Sequence, residues 1–331
     1  MGSLKEKTQG KGTLTTVVIP NYNGIEYIEN CLDSLYRGSR IPEIIVVDNA
    51  SKDGSLQRVI EKYPEVQRIE LNENTGFSYA VNRGIEKAET KYVFLLNNDT
   101  TVDEKCVEEL EKIMEDHGSC FSAGGKMINM KFPEKIDDAG DFYCALGWAF
   151  ARGKDRDASK YQKKGRIFAS CGGAAIYRKE LFEETGLFDE AHFAYLEDID
   201  IGYRANILGY PNIYAPKAVI YHAGSGVSGS RHNPFKVDLT ARNSIYLIYK
   251  NMPVLQILFN LPFLLLGYLV KTVFFTKKGM GKVYLQGLKK GFRLSCSRES
   301  RKKKVKFQVK NLHHYLWIQW ELFAGIVRRI I

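Results

Sequence analysis

Hydrophobic positions in the first 120 residues alternate between two periods. Residues 15–19 (TTVVI) and 43–47 (EIIVV) are short runs rich in β-branched residues, and 66–71 (VQRIEL) and 92–96 (YVFLL) read as further strands. They stop at Pro20-Asn21, Asp48-Asn49, Asn72 and Asn97, as buried parallel strands do. Between them, residues 26–36 (EYIENCLDSLY), 56–62, 77–86 and 106–116 repeat apolar positions at helical spacing. This alternation predicts an α/β fold, an open and mostly parallel sheet with helices on both faces. Ligands of such sheets bind beyond the carboxyl ends of the strands. Chemistry is therefore expected at Asn21-Tyr22-Asn23, Asp48-Asn49-Ala50, residues 72–76 and Asn97-Asn98-Asp99.

The pattern then changes twice. Residues 127–161 are irregular and rich in Gly and Asp, followed by SCGGAAIY at 170–177, a helix through Phe182 and another over 196–204, which predicts a mixed second half. After Pro253 the composition shifts sharply. Residues 254–275 are almost unbroken apolar sequence, residues 271–310 are strongly basic, and residues 312–331 are apolar again and contain Trp317 and Trp320.

With 331 residues, 44% of them hydrophobic and 26% charged, the chain can bury a real core, which excludes a disordered or collagenous protein. Its net charge of +10 is local: residues 271–310 hold fourteen Lys or Arg against the single acid Glu299, so the remainder is slightly acidic. The six cysteines show neither CxxC nor metal-ligand spacing and read as reduced thiols. Residues 1–13 have no apolar h-region, so a cytosolic location is expected for the α/β half.

No GxGxxG or GxxxxGK[ST] follows the first strand, so a nucleotide would have to be held without those phosphate cradles. Asp48 can accept hydrogen bonds from a base or ribose, or be a turn residue. Asp99 can hold a divalent cation against a diphosphate, or open the next element as an Asx turn. Glu197-Asp198-Ile199-Asp200 places three carboxylates in four positions before an apolar helix. Like charges this close raise at least one pKa, as a general base requires, although acidic residues also complement a helix dipole. His222 can be a metal ligand or a satisfied surface histidine.

TVVIPNYNG, VVDNASKDGS, NTGFSYAVNRGI, LLNNDT, the long GGAAIYRKELFEETGLFDEAHFAYLEDIDIGYRANILGY and ARNSIYLIYKN occur in an order that resembles family 2 glycosyltransferases, in the branch similar to rhamnosyltransferases. The resemblance spans about residues 15–251. It implies a GT-A (Rossmann-like) fold, a nucleoside-diphosphate sugar donor, a divalent cation (Mn2+ or Mg2+) and inversion at the anomeric carbon. It also implies Asp48 at the nucleobase, Pro20, Asn21 and Asn23 lining that pocket, and Asn82, Arg83 and Asn98 near the donor. Asp99 and His222 would be on the metal, Asp198 would be the base, and Glu197 and Gly173 would lie on the acceptor side. One departure is Asn97, where many relatives have Asp. A neutral amide binds a cation more weakly than a carboxylate, so metal and donor are expected to bind together.

The expected division is a flexible tail at 1–13, the GT-A catalytic domain at 14–251 and an apolar and basic helical extension at 252–331. Within residues 254–275 the interruptions Gln256, Asn260, Gly267 and Lys271 fall within about 60° of one another on a helix, a single polar seam. Twenty-two residues can span a bilayer, yet the donor side and the basic segment both prefer the cytoplasmic face. A helix lying in the interface, or re-entering, satisfies both. The expected partners are a nucleotide-sugar donor, a lipid-linked or surface glycan acceptor and an anionic membrane surface. Nucleic acid is not expected, because the basic run adjoins apolar stretches instead of an aromatic-studded polar platform. dTDP-L-rhamnose is the favoured donor and a UDP-hexose the other. A second reading, which Asn97 keeps open, is a catalytically weak sugar-nucleotide-binding or scaffold protein of a membrane polysaccharide assembly.

Overall fold

The computed structural model describes residues 13–224 and 233–330. The expected tail, apart from Thr13, lies outside the described residues. Strands β1 (Thr15–Asn21), β2 (Glu43–Asp48), β3 (Gln67–Glu70) and β4 (Tyr92–Leu96) alternate with helices α1 (Ile28–Tyr36), α2 (Ser55–Lys62) and α3 (Phe77–Lys87). They form a parallel array in the order β3-β2-β1-β4. Fully buried side chains on both faces, Val17 and Ile19 against Val18 and Leu95, explain why β1, β2 and β4 read as apolar runs, whereas β3 at the edge exposes Gln67, Arg68 and Glu70.

After the short β5 (Thr100–Val102) and α4 (Cys106–Asp116), the sheet grows in mixed sense. β6 (Ser122–Asn129), β7 (Ile136–Asp138), the hairpin of β8 (Asp141–Cys144) and β9 (Trp148–Ala151), β10 (Gly165–Ile167) and β11 (Ala174–Arg178) follow, then α5 (Phe182–Thr185), α6 (Glu197–Leu208) and β12 (Asn212–His222). β11 runs antiparallel between β4 and β6, and β12 lies parallel to β6, giving the path β10-β12-β6-β11-β4-β1-β2-β3. The stretch expected to be irregular thus supplies the hairpin, β7 and the end of a central strand.

The carboxyl-terminal part is helical: α7 (Pro234–Asn251), α8 (Val254–Lys277), α9 (Gly281–Ser295), α10 (Arg298–Lys303) and α11 (Leu312–Ile330). It shares a core with the preceding residues, because Phe168 and Tyr203 cluster with Leu264, Tyr315, Ile318 and Leu322. The polar seam of α8 faces inward. Asn260 is fully buried and exchanges hydrogen bonds with Gln319 (2.8 and 2.9 Å), while Gln256 bonds Tyr203 and Gln319. At Gly267 a Cβ would lie 2.1 Å from the Leu146 carbonyl oxygen, so only glycine lets the β8–β9 turn rest on α8. Leu258, Phe259, Leu265 and Leu269 on the outer face are exposed. α8 is the one described helix long and apolar enough to cross a membrane.

α9 approaches α7 through Gly287 and Gly291, whose added Cβ atoms would meet the backbone oxygens of Asp238 and Arg242 at 2.6 and 2.5 Å. Lys282, Lys289 and Arg293 are exposed on the outer side of α9, and Lys290 pairs with Asp238 of α7 (2.8 Å).

Candidate active site

At the ends of β1 and β2, the fully buried Asn21 amide ties three loops together. It donates to Asp48 Oδ1 and Ser55 Oγ (both 2.8 Å) and accepts from Asn98 Nδ2 (2.8 Å). Asp48 is buried, and its second oxygen accepts from the Ser51 N–H (2.9 Å). Pro20 pairs with Val47 just before this point. Asn23, at a φ of 50°, exchanges hydrogen bonds with the Ser51 hydroxyl and the Lys52 N–H. The structure therefore brings Pro20, Asn21, Asn23, Asp48 and Asn98 into one polar nest. Asn82 lies elsewhere: its buried amide bonds Phe188 and Glu190, bracing α3 against the loop before α6. Arg83 pairs with Glu86 and Glu190 and stacks over Tyr79.

Asp99 follows β4, and β12 delivers His222 to it. His222 is not a surface residue; it is held between two carboxylates, Nε2 3.3 Å from Asp99 and Nδ1 2.8 Å from Asp137 of β7. Burial pushes the imidazole pKa down, but hydrogen bonds to Asp137 and Asp99 and their charges outweigh it, raising it to about 9. Lys154 completes the chain by pairing with Asp137. An imidazole nitrogen beside a carboxylate, its other nitrogen fixed by a second carboxylate, fits a divalent cation such as Mn2+. Asp137 was not singled out from the sequence, where IDDAGD reads as loop.

Its neighbour Asp138 points to the other side of the strand, as alternation requires. There it meets Asp141 and Cys171, their ligating atoms within 4.8 Å of one another, and Asp141 hydrogen-bonds Asp198. Burial, reinforced by mutual repulsion, raises Asp138 to about 7 and pushes Asp141 and the Cys171 thiol well up.

Asp198, in the first turn of α6, accepts from the Ile199 N–H (2.7 Å), and burial raises its pKa. Burial and the Asp198 charge push Glu197 well up, and its Oε2 has no hydrogen-bond partner. Of the three carboxylates in this run, Asp200 is the one not raised. Two positions along a helix it faces away from Asp198, and despite full burial Lys250 and Arg204 hold its carboxyl below the usual range. Burial alone raises Asp198; the N–H groups of Ile199 and Gly172 and the hydrogen bond from Asp141 of β8 pull the other way. Gly173, at the start of β11, accepts the Asn97 N–H through its carbonyl (2.9 Å), next to Cys171.

The loop entering α6 is strained, since Phe193, Tyr195 and Leu196 all have φ between 64° and 69°. Residues of ARNSIYLIYKN hold it. Asn243 Nδ2 donates to the carbonyls of His192, Ala194 and Tyr195 (2.8–2.9 Å), and Arg242 donates to those of Ala191 and His192. These functions were not read from the sequence. Polar Asn243, Tyr246 and Lys250 at helical spacing on an apolar helix are the signal that points to them.

A cleft of about 1450 Å³ joins these groups to the carboxyl-terminal helices. Asn97, Asp137, Asp138, Cys171 and His222 line one part of it, and Trp148, Lys271 and Arg329 another.

The family model described as glycosyl transferase family 2 matches residues 16–186. The chain is 25% identical over 232 residues to the N-acetylglucosaminyl-diphospho-decaprenol L-rhamnosyltransferase of Mycobacterium tuberculosis, covering 62% of this chain and 75% of that protein. Its fold is similar to that of GalNAc-T7 solved with UDP, GalNAc and Mn2+ (TM-score 0.58, 17% identity, 71% of this chain and 47% of that one). It is also similar to the mannosyltransferase PcManGT of Pyrobaculum calidifontis, solved with GDP-Man and Mn2+ (TM-score 0.52, 17% identity, 96% and 87%). These two likenesses identify the shared fold as GT-A.

Proposed function

The chain belongs to glycosyl transferase family 2, and we propose that it is an inverting, metal-dependent enzyme moving a sugar from a nucleoside-diphosphate donor to a hydroxyl of a lipid-linked glycan. The favoured donor is dTDP-L-rhamnose, in keeping with the M. tuberculosis relative, and a UDP-hexose is the other candidate. The observation that carries the reading is β7, which presents Asp137 to the His222–Asp99 pair on one side and Asp138 to the Asp141–Asp198 pair on the other.

In this reading Asp48, held by Asn21, receives the base or ribose in the nest at the ends of β1 and β2. Asp99 and His222 would hold the divalent cation, which neutralises charge on the departing diphosphate when bound. Asp198 takes the proton of the attacking hydroxyl, and a single displacement needs no covalent nucleophile. Residues 14–251 form the catalytic domain, and 252–331 an extension anchored to it through the shared core.

A thermal-shift series with dTDP-rhamnose and UDP-hexoses, with and without Mn2+, tests the assignment, because a ligand that binds the native state raises its apparent stability. The expected result is stabilisation by a nucleotide sugar that depends on metal and is lost in Asp99→Ala. Metal-independent stabilisation, equal in the variant, would reassign Asp99 to its turn.

The outer face of α8 and the outward lysines of α9 would rest on the cytoplasmic surface of an anionic membrane. Co-sedimentation with phosphatidylglycerol vesicles is expected, with partial release in high salt because burial of the apolar face is not screened. Leu265→Gln with Leu269→Gln changes only exposed positions and should sharply reduce binding. Unchanged binding by that variant would leave the charges as the sole attraction.

A further inference from the structure

Where α8, α11 and the β8–β9 hairpin line the cleft, it is built of cations over aromatic rings. Lys271 of α8 lies 5.6 Å from the Trp148 ring, Arg328 4.6 Å from Phe142 and Arg329 5.8 Å from Phe150, all three rings belonging to the β8–β9 hairpin. Trp148 is fixed by its Nε1–H donating to the Gly267 carbonyl (3.2 Å), and Phe142 packs on Phe150. Arg328 pairs with Glu321, whereas neither Lys271 nor Arg329 has a carboxylate partner among the described residues.

The donor's phosphates do not account for these cations, because His222, which with Asp99 is proposed to hold the cation that meets them, lines the cleft beside Asp137 and contacts neither Lys271 nor Arg329. Two unneutralised positive charges on a half-buried aromatic floor suit a second anion. Next to Lys271 the cleft is lined by Val270 and Phe274, both on the partly exposed apolar face of α8. An anion seated here would carry its apolar tail directly onto the surface proposed to meet lipid.

We propose that Lys271 and Arg329, with the Trp148 and Phe150 rings, form the seat for the diphosphate of a polyprenyl-diphosphate-linked acceptor. Its first isoprene units leave over Val270 and Phe274, and its sugar reaches along the cleft toward Asp198. This rests on the reading of the chain as a transferase to lipid-linked glycan and adds where that acceptor is held. The hairpin and α8 together then measure the acceptor: the diphosphate fixes the distance from the lipid surface at which a hydroxyl is presented to the base.

The test uses the full chain and farnesyl diphosphate, titrated calorimetrically in EDTA so that the cation site contributes nothing. Binding is expected to be at least about tenfold tighter than for farnesol or inorganic pyrophosphate, since each offers only one half of the seat. Lys271→Gln with Arg329→Gln should lose about tenfold for farnesyl diphosphate, with an unchanged thermal midpoint showing that the variant is folded. Equal affinity in the wild type and this variant would overturn the seat. Full displacement of farnesyl diphosphate by phosphatidylglycerol vesicles would also overturn it, by assigning the cations to a phospholipid headgroup. Nucleotide-sugar binding by the wild type with Mn2+ is measured alongside. Its absence would remove the transferase reading, whereas loss of the seat alone leaves that reading standing.

Discussion

Lys250→Met is expected to lower the unfolding free energy by about 3–5 kcal/mol, the usual cost of removing one partner from a buried ionic network. Lys250 Nζ donates to Asp189 (2.9 Å) and Asp200 (2.8 Å), and all three residues are at most 5% exposed. Arg204, Asn251 and Tyr246 supply further hydrogen bonds to the two carboxylates, and Lys303 reaches Asp189 from α10. Methionine fills the same volume but leaves two buried carboxylates short of a cation. Against a total stability of about 5–15 kcal/mol for an ordinary domain, this is a large fraction.

Urea unfolding at pH 7 measures the loss, and a change below about 1 kcal/mol would show the network to be hydrated and unimportant. The pH dependence has a definite sign. Burial opposes ionisation of Asp189 and Asp200, but Lys250 and the other cations hold both below the ordinary carboxylate range. Their contribution is therefore complete above about pH 4 and is lost as acid protonates them. Burial also lowers His192 to about 4, so the unfolded chain takes up its proton first and stability starts to fall below about pH 6.5. The wild type should lose stability progressively from there downward.

How far the sequence discloses this architecture depends on which contacts define each part. β1, β2 and β4 are buried on both faces, so each is an apolar run ended by a polar strand terminus, and Asp48 and Asp99 are readable from their place after a strand; β3, at the sheet edge with Gln67, Arg68 and Glu70 exposed, is not such a run. β6 is central in the sheet yet contains Gly124, Gly125 and Lys126, because Ile220 and the Ala218 carbonyl press against Gly125 from β12, about ninety residues away. No local period records that contact. The carboxylates follow the same division. Asp198 is visible before an apolar helix, while Asp137, Asp138 and Asp141 acquire meaning only when β7 and β8 are folded beside β12 and α6. The inward polar seam of α8 is readable as periodicity, but its partner Gln319 is not, since their pairing requires α11 to return across the domain.

Asp198→Asn is expected to reduce turnover by roughly 100-fold or more, the size of general-base assistance in proton transfer, while leaving the fold and donor affinity close to wild type. The amide keeps the volume of the carboxyl and its oxygen can still accept the Ile199 N–H, so the first turn of α6 keeps this hydrogen bond. What disappears is a group able to take a proton from the attacking hydroxyl. Burial raises the Asp198 pKa above the ordinary carboxylate value, which makes the carboxylate a stronger base. Activity of the wild type should accordingly rise with pH on an acidic limb displaced above about 3.9, the unperturbed aspartate value. The variant should lose that limb along with its rate. Asp141, pushed well up by burial and by Asp138 and Asp198, keeps a proton to share with the Asp198 carboxylate and so fixes its position before substrate arrives. Steady-state kinetics across pH, with donor binding measured separately, decides the assignment: turnover within a few-fold of wild type, or an acidic limb that survives the substitution, would mean that another group of the cluster takes the proton.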